Sequence, residues 1–381
     1  ATVQSGVILD RLNDELAPLN RRIAPDPSGS QTCTMGGLIA SNSSGARSIR
    51  HGTTADHVTS MRVMFANGEI AVLEPRSWPR DEPDHSEPGF LRGLERKVAT
   101  LVNWHNDALT LDTVRAPRNR AGYALKEVRR SDGDMDLGRL VVGSEGTLAI
   151  VLESTWRVIP RPLAQGVVLL PFSRLVEAAA AVPDCMIEAP AACDLHDYRS
   201  LGLLREALPE FAGWEVGRAE AALVVLFEDD DPRRVEEKLD TVTLRLLRRG
   251  VLVSEPITTL RRSECERMLA LRRRIMPFLL RNTRGAQPVP LIEDVAVPPE
   301  SLPLFLHRLQ TILRDRGLSW TLYAHAAAGQ LHPRPFLDLS QEVDRGLIED
   351  LATQVYEAVW ELRGTISGEH GCGLVRSQFL R

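Results

Sequence analysis

Residues 25–58, PDPSGSQTCTMGGLIASNSSGARSIRHGTTADHV, hold an unusual concentration of glycine and small polar residues. Small residues let a backbone approach a ligand closely, and unpaired N–H groups in such loops form concavities that bind anions. No turn needs so many of them, so we predict that this stretch forms part of a ligand site. A second cluster of the same character, GSEGT at residues 143–147, precedes an apolar run of β type. An ordinary turn is an equally good interpretation of this shorter cluster.

Neither of the two common phosphate-binding fingerprints occurs in the chain. The pattern GxGxxG after a strand is absent, and so is GxxxxGK[ST]. These absences argue against a Rossmann oxidoreductase and against a nucleoside triphosphatase.

The bulk composition is that of an ordinary globular protein. The chain has 381 residues, of which 43% are hydrophobic and 25% are charged, and this length favours two or three domains. A net charge of −5 with both signs interspersed argues against nucleic-acid binding. No apolar run approaches the roughly 18–20 residues that span a bilayer, and no export leader is visible. The five cysteines contain no CxxC pair, which favours a reducing, cytoplasmic setting.

A change of pattern near PRPLA, residues 161–165, predicts a boundary between domains 1–160 and 161–381. The second domain alternates strand-like runs with long helices, which predicts an α+β fold with helices layered on one antiparallel sheet. In the first domain we predict a helix near 7–19, strands at 59–66 and 69–73, a surface loop at 74–90, a helix near 90–108, and a strand, a turn and a further strand or helix over 141–160. In the second we predict strands at 166–172, 221–229, 290–297 and 320–327 and helices near 173–187, 232–249, 259–283, 299–316 and 341–363.

Two histidines and one carboxylate form a candidate metal site. His325 and His332 are seven residues apart, so on one straight strand they would face opposite sides. The intervening AAAGQ contains a glycine and can form a tight return, which would bring the two imidazoles together. With Glu369 they would make a common ligand set for Zn²⁺, Mn²⁺ or Fe²⁺. Two satisfied histidines beside a turn and an exposed glutamate are the alternative interpretation.

The segment GTISGEHGCG, residues 364–373, places Glu369 directly beside His370. Adjacent side chains of an extended segment point to opposite faces. We therefore expect Glu369 and His370 to serve two different partners.

Three of these segments together resemble the flavin domain of the FAD-linked oxidases of the vanillyl-alcohol-oxidase superfamily. They are TMGGLIASNSSGARSIRHGTTADHV (34–58), NRAGY (119–123) and LVVGSEGTLAIV (140–151). D-lactate, glycolate and D-2-hydroxyglutarate dehydrogenases would be the nearest members. The resemblance implies an FAD-binding domain at 1–160, followed by an antiparallel-sheet α+β substrate or cap domain at 161–381. The family's glycine-rich pyrophosphate loop would precede residue 1, and the chain stops abruptly at Arg381, so we expect it to be truncated at both ends.

The resemblance also implies roles for the candidate residues. HAAAGQLHP and GTISGEHGCG are similar to the family's metal-binding segments, so His325, His332 and Glu369 would hold the metal and His370 would be the catalytic base. Arg272 falls where the family binds the substrate carboxylate, although a place on a solvated helix face is an equally good interpretation. The implied reaction oxidises a D-2-hydroxyacid to the 2-oxoacid, with the hydroxyl proton passing to His370 and a hydride to FAD. The residues implied to bind FAD are Pro25, Asp26, Ser28, Thr34, Gly36, Gly37, Asn42, Ser43, Gly45, Gly52, Thr53, Asp56, Gly143, Glu145, Gly146, Thr147 and Ile150.

Several positions depart from the family's pattern. Residues 327–330 replace Gly-Asp-Gly-Asn, Met276 replaces a threonine, Ile292 a lysine and Arg334 an asparagine. The pocket for a distal carboxylate is therefore weakly supported. GQLHPRPFLDL and EDVAVP resemble the large bacterial members that are fused to an iron–sulfur module.

The resemblance leaves the electron acceptor and the activity itself open. A quinone, an electron-transfer flavoprotein or a fused iron–sulfur module would fit as acceptor, and we expect a cytoplasmic location, with attachment to the periphery of the inner membrane as a variant. Two other functions remain: a non-catalytic flavoprotein subunit of an electron-transfer assembly, and a metal-dependent hydrolase that uses the same three ligands with a bound water.

Overall fold

The structure is a computed structural model that describes residues 1–79, 89–111, 113–207, 219–282 and 285–380. Most of the loop predicted at 74–90 lies outside these residues, as do the end of the helix predicted near 259–283 and the side chain of Met276. Within them, no helix is both long enough and apolar enough to cross a bilayer.

The strands and helices of the described residues are short in the first half of the chain and longer in the second. In chain order the strands are β1 (Thr2–Gln4), β2 (Arg21–Arg22), β3 (Val58–Met64), β4 (Ile70–Leu73), β5 (Ile150–Trp156), β6 (Ile159–Pro160), β7 (Ala164–Phe172), β8 (Ala192–Asp197), β9 (Ala221–Asp229), β10 (Ile257–Thr259), β11 (Gln287–Pro288), β12 (Val295–Ala296), β13 (Trp320–His325) and β14 (Gln330–Leu337). The α-helices are α1 (Leu9–Leu16), α2 (Met35–Ser41), α3 (Ser48–His51), α4 (Thr54–His57), α5 (Phe90–Trp104), α6 (Asn106–Thr110), α7 (Gly138–Val141), α8 (Leu175–Met186), α9 (Tyr198–Ala207), α10 (Pro232–Arg249), α11 (Arg262–Asn282), α12 (Leu302–Asp315), α13 (Glu342–Glu361) and α14 (Gly373–Arg376).

The first half of the chain is built on a four-stranded antiparallel sheet with the strand order β1–β5–β3–β4. Helices α1, α2 and α5 contribute Leu9, Leu38 and Val98 to its core, where they join Val63 and Trp156 of the sheet. The strands predicted at 59–66 and 69–73 are confirmed as β3 and β4.

The strand predicted at the start of 141–160 is wrong, because the short helix α7 ends at Val141 and turns follow it. Gly143, Glu145 and Gly146 follow it with φ of 86°, 56° and 74°. This left-handed backbone cannot continue a strand. Regular pairing therefore begins only at Ile150, where β5 starts.

The second half is built on an eight-stranded sheet that runs β10–β7–β9–β8–β13–β14–β11, with β12 also paired to β14. All of its pairs are antiparallel. Strands β7 and β9 are nearly continuous apolar runs because both of their faces are buried. Phe305 of α12 and Val355 of α13 pack on one face, whereas Cys265 of α11 packs on the other.

Four strands of this sheet, β8, β10, β11 and β14, were not predicted, and one predicted strand forms only in part. Strand β14 contains Pro333 and Pro335, which lack the N–H of a normal ladder residue. Strand β8 is buried but contains several polar residues, so its sequence does not look like that of a buried strand. Of the strand predicted at 290–297, only β12 forms, since Asp294 has a φ of 71° and turns the chain.

A buried cluster of charges joins the two halves of the molecule. Glu228, at the end of β9, has a side chain that is 2% exposed and lies 2.8 Å from both Arg22 Nη2 and Arg47 Nε. The backbone oxygen of Glu228 also accepts a hydrogen bond of 2.6 Å from Arg50. The chain crosses between the halves beside PRPLA, where β7 follows β6, and the boundary at residue 160 stays a prediction.

Candidate active site

The hairpin of β13 and β14 brings the two predicted histidines together. A 3-10 turn at Ala326–Ala328 connects the strands, and Tyr323 pairs with His332 across them. His325 is two residues from Tyr323 and so shares its face. The ring centroids of His325 and His332 are 5.5 Å apart. A Cβ at Gly329 would lie 1.8 Å from the oxygen of Val297, so this return requires glycine. The predicted convergence is confirmed.

Glu369 completes the cluster from a distant part of the chain. Its Oε1 lies 3.5 Å from Nε2 of His325 and 3.7 Å from Nε2 of His332. The potential ligand atoms of the three residues all lie within 4.8 Å of one another, and His325 and His332 are buried. Two imidazoles and a carboxylate at these separations are a donor set that suits a transition-metal cation.

The expectation that Glu369 and His370 face opposite sides is wrong. Residues 367–372 form no strand, and the backbone N–H groups of Glu369 and His370 both bond to the carboxylate of Asp294, each at 2.9 Å. The chain therefore curls around Asp294. As a result, Nε2 of His370 lies 3.8 Å from Oε1 of Glu369, and the His370 ring stacks on that of His332 at 5.2 Å.

The second oxygen of Glu369 is fully occupied by the protein. Oε2 accepts hydrogen bonds from Ser44 Oγ at 2.5 Å, from the N–H of Gly45 at 3.2 Å and from Arg118 Nη1 at 3.1 Å. Burial opposes the charge of Glu369, but the His325 ring and the Arg118 guanidinium hold the pKa of Glu369 well below its usual range. Glu369 is thus a carboxylate that presents one free oxygen, Oε1, to a cation.

Asp194 of β8 orients His325 from behind. Its Oδ1 lies 2.9 Å from Nδ1 of His325, and its Oδ2 accepts a hydrogen bond of 2.7 Å from the hydroxyl of Tyr323. Burial opposes the charge on His325, but Asp194 and Glu369 raise the pKa of His325 to about 9. A carboxylate on one ring nitrogen fixes the ring and leaves Nε2 for a metal, which would replace the proton that His325 holds.

We predict that Asp194→Asn weakens metal binding by about 10–100-fold, because the variant removes the negative charge behind His325 while it keeps the shape of the side chain. The dissociation constant of Mn²⁺ measures this effect. Asp197→Asn on the same strand is the control, since Asp197 caps the N–H groups of Ser200 and Leu322 instead. Equal Mn²⁺ affinities of the two variants would contradict the prediction.

His332 differs from His325 because no carboxylate bonds to its Nδ1 within the described residues. Burial and the neighbouring His370 hold the pKa of His332 well below its usual range. Its Nδ1 atom is buried without a hydrogen-bond partner in the described part of the chain. His332 is therefore neutral and keeps a lone pair for a ligand.

Arg272 lies in the same cavity, as its predicted role requires. The helix α11 carries it inward, where its Nη2 donates to the backbone oxygen and to Oδ2 of Asp26, both at 2.8 Å. Its Nε and Nη1 are buried and have no partner within the described residues. A guanidinium fork with free donors suits a carboxylate, so the solvated-face interpretation of Arg272 is wrong.

The cavity that these residues share has a volume of about 260 Å³. Its lining combines the small residues Ser41, Ser43, Ser44 and Gly45 with the histidine cluster. The lining residues are Pro27, Ser28, Ser41, Ser43, Ser44, Gly45, Arg272, Ile275, Tyr323, His325, His332, Arg334, Glu369 and His370.

The first predicted flavin residues lie close to this cavity, although several serve the protein itself. Ser28 lines it, whereas Pro25 is buried and Asp26 pairs with Arg272 and Arg47. Thr34 caps α2 by accepting from the N–H of Gly37 at 3.0 Å. The open side of Gly36 is filled by Ser5, which would lie 2.8 Å from an added Cβ.

The next group surrounds the chain between α2 and α4. Ser43 and Gly45 line the 260 Å³ cavity, and a Cβ at Gly45 would lie 2.4 Å from the oxygen of Asp26. Asn42 is buried and accepts from the N–H of Ala55 at 2.9 Å. A second, polar cavity of about 560 Å³ adjoins this chain segment, and its lining includes Gly52, Thr53, Asp56, Arg118 and Arg120.

The GSEGT cluster packs against both neighbouring segments. Gly143 lies against Asn42, and Oε1 of Glu145 accepts from the N–H groups of Cys372 and Gly373 at 3.0 and 3.3 Å. Thr147 bonds to the hydroxyl of Tyr123 at 2.7 Å. Gly146 and Ile150 face outward. The flavin roles of all these residues stay predictions.

Sequence reasoning missed Arg118, Asp194 and Asp294. Arg118 directly precedes NRAGY, and Asp294 lies within EDVAVP, so both were adjacent to quoted motifs without being assigned a role. Asp194 lies in an unpredicted strand and had no motif of its own.

Comparisons with known proteins show which family the chain resembles. The family description "FAD linked oxidases, C-terminal domain" matches residues 161–381, and "FAD binding domain" matches residues 1–74. The D-2-hydroxyglutarate dehydrogenase of Pantoea ananatis is 29% identical over 99% of this chain, and the chain spans 38% of that protein's length. Glycolate oxidase subunit GlcD of Bacillus subtilis is 26% identical, in an alignment that covers 100% of this chain and 68% of GlcD. The D-lactate dehydrogenase of Archaeoglobus fulgidus is 25% identical, in an alignment that covers 98% of this chain and 68% of that protein.

Solved structures show the same fold at low sequence identity. An alkyldihydroxyacetonephosphate synthase aligns with a TM-score of 0.56 at 16% identity, over 96% of this chain and 59% of its own. The 4-ethylphenol oxidase of Gulosibacter chungangensis aligns with a TM-score of 0.58 at 12% identity, and the alignment covers 97% of this chain and 68% of that oxidase. The fold is therefore that of the vanillyl-alcohol-oxidase type.

Proposed function

The chain belongs to the family of FAD-linked oxidases, and from this premise we propose that it oxidises a D-2-hydroxyacid to the 2-oxoacid, with FAD as the hydride acceptor and a divalent metal held by His325, His332 and Glu369. The observation that carries the proposal is that these three residues meet beside His370 and Arg272 in one cavity. Ser41, Ser43, Ser44 and Gly45 of the flavin half also line this cavity.

The residues present fit both groups. For the cation, Glu369 offers one free oxygen, His332 is neutral, and Asp194 supports His325. For FAD, the lining residues Ser41, Ser43, Ser44 and Gly45 carry only hydroxyl and glycine groups, which leaves room for a flat ring and supplies hydrogen bonds. When bound, the flavin supplies the hydride acceptor and the cation polarises the substrate's hydroxyl.

Arg272 binds and orients the substrate in this proposal. Its free Nη1 would donate to the C1 carboxylate, and Asp26 holds the guanidinium in place through Nη2. A carboxylate fixed there faces the histidine cluster across the same cavity. The hydroxyl on the adjacent carbon then lies between the metal ligands and His370, as proton removal requires.

His370 accepts the hydroxyl proton at Nε2 in this proposal. Its Nδ1 lies 3.5 Å from Oε1 of Glu293, and Nε2 turns toward Glu369. Burial opposes the charge on His370, but Asp294, Glu293 and Glu369 raise the pKa of His370 to about 9. His370 must give up this proton before it can act as a base, and neutralisation of Glu369 by a bound cation favours that loss.

The substrate and the partners belong to the same proposal. The names of the relatives favour glycolate, D-lactate or D-2-hydroxyglutarate. Arg334 lines the cavity and pairs with Glu293 at 2.5 Å. We expect a larger substrate to extend toward Arg334. Electrons would leave to a quinone, an electron-transfer flavoprotein or an iron–sulfur module, in the cytoplasm or at the periphery of the inner membrane.

Flavin reduction by substrate tests the proposal. The purified protein, loaded with FAD and then with Zn²⁺, Mn²⁺ or Fe²⁺, is mixed without oxygen with glycolate, D-lactate or D-2-hydroxyglutarate. We expect the flavin absorbance near ~450 nm to bleach with one of the three, and a chelator to prevent it. Protein that binds FAD and metal but bleaches with none would favour a non-catalytic subunit. Ester cleavage without FAD would favour a hydrolase.

A further inference from the structure

Arg118 is a buried arginine that joins the two halves of the molecule at the metal site. Its side chain is 5% exposed. Nη2 donates to the backbone oxygen of Gly45 at 2.7 Å, and Nη1 donates both to Oε2 of Glu369 at 3.1 Å and to Oε1 of Gln330. Gly45 lies in the flavin half and lines the cavity, whereas Glu369 and Gln330 belong to the cap half.

From these contacts, and on the basis of the proposed function, we propose that Arg118 is the positioning residue that sets the orientation of Glu369 toward the cation. Glu369 has two equivalent oxygens, and only the donors around it decide which of them a cation meets. Arg118 supplies one of the three donors that occupy Oε2, together with Ser44 and Gly45. Oε1 is thereby directed at His325 and His332.

Arg118 also supports the backbone that carries Glu369. Gln330, which accepts from Arg118, donates through Nε2 to Oδ1 of Asp294 at 2.7 Å. The same carboxylate receives the N–H groups of Glu369 and His370. A closed ring of hydrogen bonds thus runs from Arg118 through Gln330 and Asp294 to Glu369 and back. A buried network of this kind is rigid only when every member is satisfied.

A positioning role and a purely electrostatic role of Arg118 predict opposite changes in metal affinity, so a binding measurement distinguishes them. A guanidinium close to a cation repels it, so removal of the positive charge alone would strengthen metal binding. If instead Arg118 acts by holding Glu369 in place, its removal weakens metal binding. A lysine in its place keeps the charge, but its single ammonium cannot reproduce the guanidinium fork that bonds Gly45, Gln330 and Glu369 at once.

The test compares Mn²⁺ binding by Arg118→Met, Arg118→Lys and the wild type, using the whole chain loaded with FAD. We expect both variants to bind Mn²⁺ about 10–100-fold more weakly, the range found for lost supports of metal ligands, with FAD content close to the wild type and a lower thermal midpoint in Arg118→Met, which breaks a buried ion pair. Arg245→Met is the matched control. Arg245 is a partly buried arginine that bonds the backbone oxygen of Asp184 and the carboxylate of Glu188 in another part of the cap half.

Three outcomes would overturn the inference: wild-type affinity in both variants, tighter binding by Arg118→Met, or full affinity in Arg118→Lys. If Arg118→Met does not fold, Arg118→Lys still decides, because it retains the buried charge. A wild type that binds no Mn²⁺, Zn²⁺ or Fe²⁺ would refute the proposed metal site itself, and this inference with it. A wild type that binds Mn²⁺ while both variants lose it supports Arg118 even if the substrate differs from the one proposed.

Discussion

His370→Gln is expected to lower kcat by about 10²–10⁴-fold, the usual contribution of a general base, while bound FAD and bound metal stay at wild-type levels. Glutamine is polar and of similar length, but it cannot accept the hydroxyl proton. The backbone N–H of residue 370 keeps its bond to Asp294, so the loop that carries Glu369 is preserved. Anaerobic stopped-flow reduction of the flavin by the preferred hydroxyacid measures the chemical step directly.

The dependence of the residual rate on pH distinguishes lost base catalysis from lost structure. Without His370 the proton must pass to hydroxide, so the residual rate of the variant should rise steadily with pH. His307→Gln is the control, because His307 is an exposed histidine on α12. Unchanged kcat in His370→Gln would show that another group is the base. Loss of FAD or metal in this variant would show that His370 holds the site together rather than taking part in the chemistry.

The residues closest to the proposed reaction could be found from the sequence because they lie in short segments with distinctive composition. The HAAAGQLHP hairpin and GTISGEHGCG each bring their own residues to the cavity through local backbone geometry. A glycine with φ of 64° closes the first of them, at Gly329. The three proposed metal ligands, His370 and Arg272 were named on this basis together with the family resemblance. All five lie around one cavity.

The residues that support these five lie far from them in the sequence and belong to no recognisable motif. Arg118 is 251 residues from Glu369, and Asp194 is 131 residues from His325. Asp294 has a left-handed backbone conformation, which is uncommon for a residue other than glycine and which the local sequence did not indicate. Pairings of this kind depend on the tertiary structure, and a single sequence does not encode them in its spacing.

The same reason explains the errors in the fold. Strands β7 and β9 have sequences that are apolar throughout, so their burial was evident. Strand β14 was not predicted because it contains prolines, which occur in strands only where their missing N–H is not needed for pairing. The curled chain at residues 367–370 was predicted as extended because nothing in its own sequence reveals the carboxylate of Asp294 beneath it.

Glu228→Gln is expected to lower the free energy of unfolding near neutral pH by about 3–5 kcal/mol, the usual effect of removing one partner from a buried ion cluster. Arg22 and Arg47 would both lose their charged acceptor, and His51, whose Nε2 lies 3.7 Å from Oε2 of Glu228, would lose it too. Arg47 also pairs with Asp26, the residue that holds Arg272, so the cluster extends to the cavity. Urea unfolding of the variant and the wild type measures the loss.

The effect of Glu228→Gln should disappear in acid, and this pH dependence identifies its cause. Burial opposes the charge of Glu228, but His51, Arg47 and Arg22 hold its pKa well below the ordinary value of 4.5. A depressed pKa gives stability that is present above the ordinary pKa and is lost as the pH falls through the folded one, so the difference between wild type and variant should shrink below about pH 4.5. Glu361→Gln is the control, because Glu361 pairs with Arg308 at an exposed site and should cost less than about 1 kcal/mol. A loss in Glu228→Gln as small as that in Glu361→Gln, or one that persists undiminished in acid, would show that this charge cluster does not hold the two halves together.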